Sequence, residues 1–163
     1  MDKQIEVYNK KKFITIPLNA KFPYIKNWNN FTKPVHVPNG KNVGILTGKS
    51  SGITVLDIDN GNEGLKTWNI ISKLYPNIIT PTCKTASGSI HLYFKYNKNL
   101  PTTIRLKVRD KKIGWDVLND NSQVVAPPSL GIHNKKYKWI MGLDHPIVEM
   151  PEWLLLFIKI NHK

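Results

Sequence analysis

The chain has 163 residues, 24 of them Lys or Arg and 11 Asp or Glu, with a formal net charge of +13, 40% apolar and 21% charged side chains. At about 100–200 residues per domain this is one domain, residues 1–163, with enough apolar side chains for a packed core, which excludes wholesale disorder. No apolar run approaches the roughly 20 residues that cross a bilayer, no apolar stretch follows the charged residues at the amino terminus, and Cys83 stands alone; the expectation is an intracellular protein with no membrane partner, no internal disulfide and no cysteine-built zinc site.

The basic excess favours a polyanionic partner, nucleic acid first. A lysine-, asparagine- and isoleucine-rich chain whose only arginines are Arg105 and Arg109 also fits an AT-biased genome, and the basic residues are spread along the chain, as on solvated loops. Both readings stand.

In chain order, the pattern predicts short strands over 13–17 and 43–46 and a longer one over 52–59. Leu65, Trp68, Ile71 and Leu74 recur at helical spacing, which predicts a helix over 62–75, capped by Asn60 or Asn62 and ended by Pro76. Strands follow over 91–96, 113–118 and 123–126, the last stopped by Pro127-Pro128, and a closing helix starts near Pro151. Strands outnumber helices after Ser87, so the fold class is α+β.

Three places carry candidate chemistry. In Ile53-Thr54-Val55-Leu56-Asp57-Ile58-Asp59 the first four residues suit a strand buried on both faces, and the strand period of two puts Asp57 and Asp59 on one face at its end. Such a pair suits hard divalent cations; pairing with a lysine, and a plain polar turn over 59–62, is the alternative. The segment Thr85-Ala86-Ser87-Gly88-Ser89-Ile90-His91 joins a small-residue turn to a strand, so that backbone, hydroxyls and imidazole can bind an anion; an ordinary hairpin with a surface histidine is the alternative. Asp116 lies in an otherwise apolar strand and needs a partner, either a metal shared with Asp57 and Asp59 or an ion pair with Lys112 or Arg109.

Taken in this order, the motifs resemble the primase-polymerase (Prim-Pol) branch of the archaeo-eukaryotic primase superfamily. Its acidic first motif is similar to Leu56-Asp57-Ile58-Asp59, preceded by the lead-in Asn42-Val43-Gly44-Ile45-Leu46-Thr47-Gly48. Its second resembles Ser87-Gly88-Ser89-Ile90-His91, with Ser89 in place of a usual glycine. Its third resembles Gly114-Trp115-Asp116-Val117, with Trp115 where a smaller aliphatic residue is common, and Val124-Val125-Ala126-Pro127-Pro128-Ser129 follows. Lys21, Trp28, Tyr137 and Trp153 also have places in the pattern.

The resemblance implies an archaeo-eukaryotic primase core with an RNA-recognition-motif-like sheet in its second half. It implies a nucleotidyltransferase, a DNA primase/polymerase that makes short primers on a single-stranded DNA template from nucleoside triphosphates. By the same resemblance Asp57, Asp59 and Asp116 hold two Mg²⁺ or Mn²⁺ ions, without zinc, and Ser87, Gly88 and His91 bind the triphosphate. In many relatives a helicase follows the module, so a helicase partner and an origin in a viral or plasmid replication protein are expected. A noncatalytic single-strand-binding module and a metal-dependent nuclease are the competing functions.

Overall fold

The computed structural model describes residues 2–161. A polar helix, α1 (Asp2–Lys10), precedes strands β1 (Thr15–Asn19), β2 (Phe22–Pro23), β3 (Asn42–Leu46) and β4 (Ile53–Ile58). Then come helix α2 (Gly64–Ile71) and strands β5 (Thr82–Lys84), β6 (Ile90–Lys95), β7 (Lys107–Val108), β8 (Lys111–Lys112), β9 (Trp115–Leu118), β10 (Gln123–Ala126) and β11 (Lys138–Met141), before helix α3 (Glu152–Asn161) closes the fold. Few helices and antiparallel pairing of all the named strands make this a mixed α+β fold, as the pattern predicted. Among the described residues no helix is long and apolar enough to cross a membrane.

Two sheets carry the molecule: sheet one in the order β10-β3-β1-β2 and sheet two in the order β11-β5-β6-β4-β9, with β7 and β8 a separate hairpin. They share a corner. The chain passes from β3 to β4 and again from β9 to β10, so that β3 pairs with β10 in one sheet and β4 with β9 in the other. At this corner the Thr47 N–H donates to the Ser122 carbonyl at 3.0 Å, and the Thr47 hydroxyl donates to the Asn119 carbonyl at 2.6 Å. Gly48 is in the left-handed region with φ +73°, and a Cβ there would lie 2.4 Å from Asp120 Oδ1, so the turn admits no side chain. The buried Asn119 completes the corner, accepting from Thr54 Oγ1 at 2.8 Å and donating to the carbonyls of Asn97 and Leu100.

Strand periodicity divides β4 between two cores. Ile53 and Val55 join Val43, Ile45, Val124, Tyr93 and Cys83 in the layer between the sheets, sealed by Tyr8 of α1. Leu56 and Ile58 face the other way, against Trp115, Val117 and Leu154 and the helices α2 and α3. A third cluster, Ile16, Leu18 and Val125, covers the outer face of sheet one.

The start of α2 differs from expectation. Neither Asn60 nor Asn62 caps it; Glu63 stands at the N-cap in the left-handed region without a side-chain cap bond. Gly64 sets the start instead, because a Cβ there would meet the Asp59 carbonyl at 2.3 Å, and both asparagine amides are used elsewhere. Leu74 lies in a 3₁₀ turn after the helix and is 74% exposed, because the apolar stripe ends with the α-helical period.

Candidate active site

Asp57 continues the row Ile53-Val55 at the end of β4, where the apolar layer between the sheets opens into a cleft of about 380 Å³. Its register neighbours are His91 on β6 and Asp116 on β9, so one row across three strands presents an imidazole and two carboxylates. Asp59 lies just beyond the strand and lines the same cleft, with Ser87, Ser89, Gln123, Tyr137 and Lys21. The structure thus brings Asp57, Asp59, Asp116, Ser87 and His91 to one cleft, while Gly88 sits at the tip of the β5–β6 turn and lines an adjoining groove.

The surface-histidine alternative is overturned. His91 is 4% exposed, its Nε2 lies 3.5 Å from Asp57 Oδ1, its ring stands 6.1 Å from that of Tyr137, and its buried Nδ1 has no hydrogen-bond partner among the described residues. The lysine alternative for Asp57 fails with it, since among the described residues the ion-pair partner of Asp57 is that histidine.

Asp59 is held by a turn. Ser89 Oγ donates to Asp59 Oδ1 at 3.1 Å and accepts from the Asn60 N–H at 2.9 Å; the Gly61 N–H and Asn62 amide donate to the same carboxylate at 3.2 and 3.3 Å. The Asp59 N–H in turn donates to the Gly114 carbonyl at 2.8 Å. Gly114, with φ +68°, lets β9 begin this close; a Cβ would stand 3.1 Å from the carbonyls of Gly61 and Asn62. Ser89, outside the predicted site residues, therefore positions Asp59, and its place inside the small-residue turn was the signal for it.

Asp116 has neither predicted cation. Among the described residues no ion pair joins it to Lys112 or Arg109; the backbone N–H of Arg105 donates to its Oδ1 at 2.5 Å. Burial pushes its carboxyl above the ordinary carboxylate range, the Arg105 N–H draws it back, and the Asp57 and Asp59 charges add to the rise. Among the described residues no three Asp, Glu, His or Cys groups already converge as a ready-made metal cluster; the carboxylates line the cleft without meeting at one point.

The remaining motif residues build the frame. Asn42 donates to the carbonyls of Ala20 and Leu130 and accepts from the Leu130 N–H at 2.9 Å. Ser129, after the cis Pro127-Pro128 bond, accepts from the Val43 N–H at 2.9 Å. Trp115 is fully buried, its Nε1 donating to the Gly64 carbonyl at 3.0 Å and its ring edge-on to Trp68.

The family model for the Prim-Pol domain, described as "Bifunctional DNA primase/polymerase, N-terminal", matches residues 16–153. The chain belongs to the Prim-Pol family. This matched span contains every strand from β2 to β11 and all the residues of the cleft described above. No curated protein matches the chain. Membership of the Prim-Pol family gives the chain a primase/polymerase-type function and places it among nucleotidyltransferase-type enzymes in general.

Proposed function

We propose that this Prim-Pol domain makes short primers on a single-stranded DNA template, with Asp57, Asp59 and Asp116 as ligands of Mg²⁺ or Mn²⁺ and with Ser87, Gly88 and His91 receiving the triphosphate. The observation that carries the reading is the row of Asp116, Asp57 and His91 across β9, β4 and β6, facing sheet one across the cleft. The donor set fits the metal. Carboxylate oxygens suit hard cations, none of the three carboxylates has a lysine or arginine ion-pair partner among the described residues, and the raised Asp116 carboxyl is what an added cation would relieve. Bound there, divalent ions would acidify the attacking 3′-hydroxyl and neutralise charge on the triphosphate.

The chain's own groups divide the remaining work. Ser89 and the 60–62 turn fix Asp59, the Arg105 N–H fixes one oxygen of Asp116, and Asp57 holds the imidazole of His91 in place. The Thr85 and Ser87 hydroxyls, 3.0 Å apart, and the glycine backbone offer donors to phosphate oxygens. The sheet order supports the RNA-recognition-motif reading: β4-α2-β5-β6 is the first part of a β-α-β-β-α-β unit, and β9 returns beside β4. The second helix of that unit is absent between β6 and β9, where the β7–β8 hairpin stands.

The test is incubation of the protein with single-stranded DNA, labelled nucleoside triphosphates and Mg²⁺ or Mn²⁺, with the products sized. Template-dependent short oligomers are expected. Degradation of the template without synthesis would give the site to a nuclease.

A further inference from the structure

A groove of about 850 Å³ leads away from the cleft along the β5–β11 edge of sheet two. Lys84 on β5 and Lys138 on β11 stand directly opposite each other in the antiparallel register. Lys135 and Lys136, in the loop before β11, line the same groove. All four are exposed, and none has a carboxylate ion-pair partner among the described residues. Like charges opposed across a ladder destabilise it, so the sheet carries this arrangement at a cost to its own stability. Thr85 and Ser87 line both this groove and the carboxylate cleft. Ser87 also lines a recess of about 440 Å³, whose walls include Phe22, Leu130 and Ile132, exposed by 63%, 42% and 61%.

We propose that the groove is the track of a single nucleic-acid strand, its phosphates on Lys84, Lys135, Lys136 and Lys138 and its bases over Phe22, Leu130 and Ile132, delivering the strand to the cleft at Ser87. The proposal rests on the nucleotidyl-transfer reading of that cleft and adds where the template runs. A basic groove beside an exposed aromatic ring on which a base can stack, here Phe22 flanked by Leu130 and Ile132, is the combination by which proteins hold single strands without sequence preference. None of the four lysines lines the carboxylate cleft, so a triphosphate held there among Ser87 and His91 leaves them without an anion of their own. Lysines contact phosphates as point charges, so the grip is electrostatic and tolerant of sequence.

The experiment measures affinity for a mixed-sequence DNA 20-mer by fluorescence anisotropy over a range of salt concentrations. It compares the parent, a variant with Lys84, Lys135, Lys136 and Lys138 changed to Gln, and a control with Lys10, Lys11, Lys73 and Lys98 changed to Gln. At about 0.7 per phosphate contact on a single strand, losing four contacts lowers the slope of log affinity against log salt by up to about 2.8. The control should keep the parent's slope, and the groove variant should bind a nucleoside triphosphate as the parent does. A second variant, Lys84→Glu, turns the Lys84–Lys138 pair into an attractive one, so its melting temperature should rise while its DNA affinity falls. Equal slopes in the groove and control variants, with the parent still binding DNA and making primers, would overturn the track and leave the function standing. Loss of triphosphate affinity with unchanged DNA affinity would give the lysines to the nucleotide instead. A parent that neither binds single strands nor incorporates nucleotides would overturn both.

Discussion

Asp57, Asp59 and Asp116 are held near one another by three different devices: a strand register, a serine-closed turn and a single backbone N–H. Asparagine keeps the size and most of the hydrogen bonds of each while removing the charge, so Asp57→Asn, Asp59→Asn and Asp116→Asn should each fold and each lose nucleotide incorporation by at least about a hundredfold, if they serve as metal ligands. Incorporation near the parent's level in any one of them would remove that residue from the metal site. Asp116→Asn has a second readout. Because the folded protein holds the Asp116 proton to a higher pH than the unfolded chain does, the folded state binds more protons just above the ordinary carboxylate range, and stability falls as pH rises through that window. The asparagine variant lacks this loss, so without divalent ions its melting temperature at neutral pH should equal or exceed the parent's. For His91→Ala the expected effect is on nucleotide binding: losing a hydrogen bond to a charged oxygen costs about 1.5–3 kcal/mol, about tenfold to a hundredfold in affinity. Unchanged nucleotide affinity with a lower turnover would instead assign the imidazole to proton handling, as in a nuclease.

Single bonds at strand ends decide how β3, β10 and the segment after it stay aligned. Ser129 Oγ accepts from the Val43 N–H and donates to the Val43 carbonyl at 3.3 Å, both in a buried setting. Ser129→Ala leaves the Val43 N–H unsatisfied, which should cost about 1–3 kcal/mol in urea unfolding with little change in the slope against denaturant. The elements legible in the sequence were those with strong periodicity or hard stops. Gln123–Ala126 matched its predicted bounds because Pro127 ends it, and Glu152–Asn161 began where Pro151 indicated. The elements missed were α1, the short β2, the β5 and β11 strands and the β7–β8 hairpin. In α1, Ile5 and Tyr8 are the apolar contributions to the core among polar residues, and β11 lies at a sheet edge with alternate residues exposed, so neither has a pattern that burial would impose. The cleft was legible at Asp57, because period two on a buried strand fixes a face. At Ser89 the small-residue turn was a signal but its partner, Asp59, 30 positions away, was not legible, and nothing marked Gln123, whose amide donates to the Lys21 carbonyl 102 positions away.

On the scale of the whole molecule, the layer between the sheets holds the chain's lone thiol. Cys83 is fully buried, and burial pushes its thiol up to about 12, so both access and thiolate formation depend on parting the sheets. Alkylation of the native protein should be at least about a thousandfold slower than of the urea-unfolded chain, because it must wait for an opening that costs a large part of the folding free energy. Labelling at the unfolded rate would mean that the layer is open in solution.

The shared corner bears on how a substrate is received. Two covalent crossings lie side by side there, tied by Thr47 and Asn119, and the apolar layer beyond them belongs to both sheets at once. Sliding one sheet over the other would strain both crossings and break the Thr47 and Asn119 hydrogen bonds that tie them, and swinging them apart would bring Val43, Val55 and Tyr93 into water. The cleft therefore has one width. A nucleotide would meet a preset mould, and calorimetry should find a heat-capacity change no larger than the contact surface itself accounts for, with no added contribution from a closing jaw.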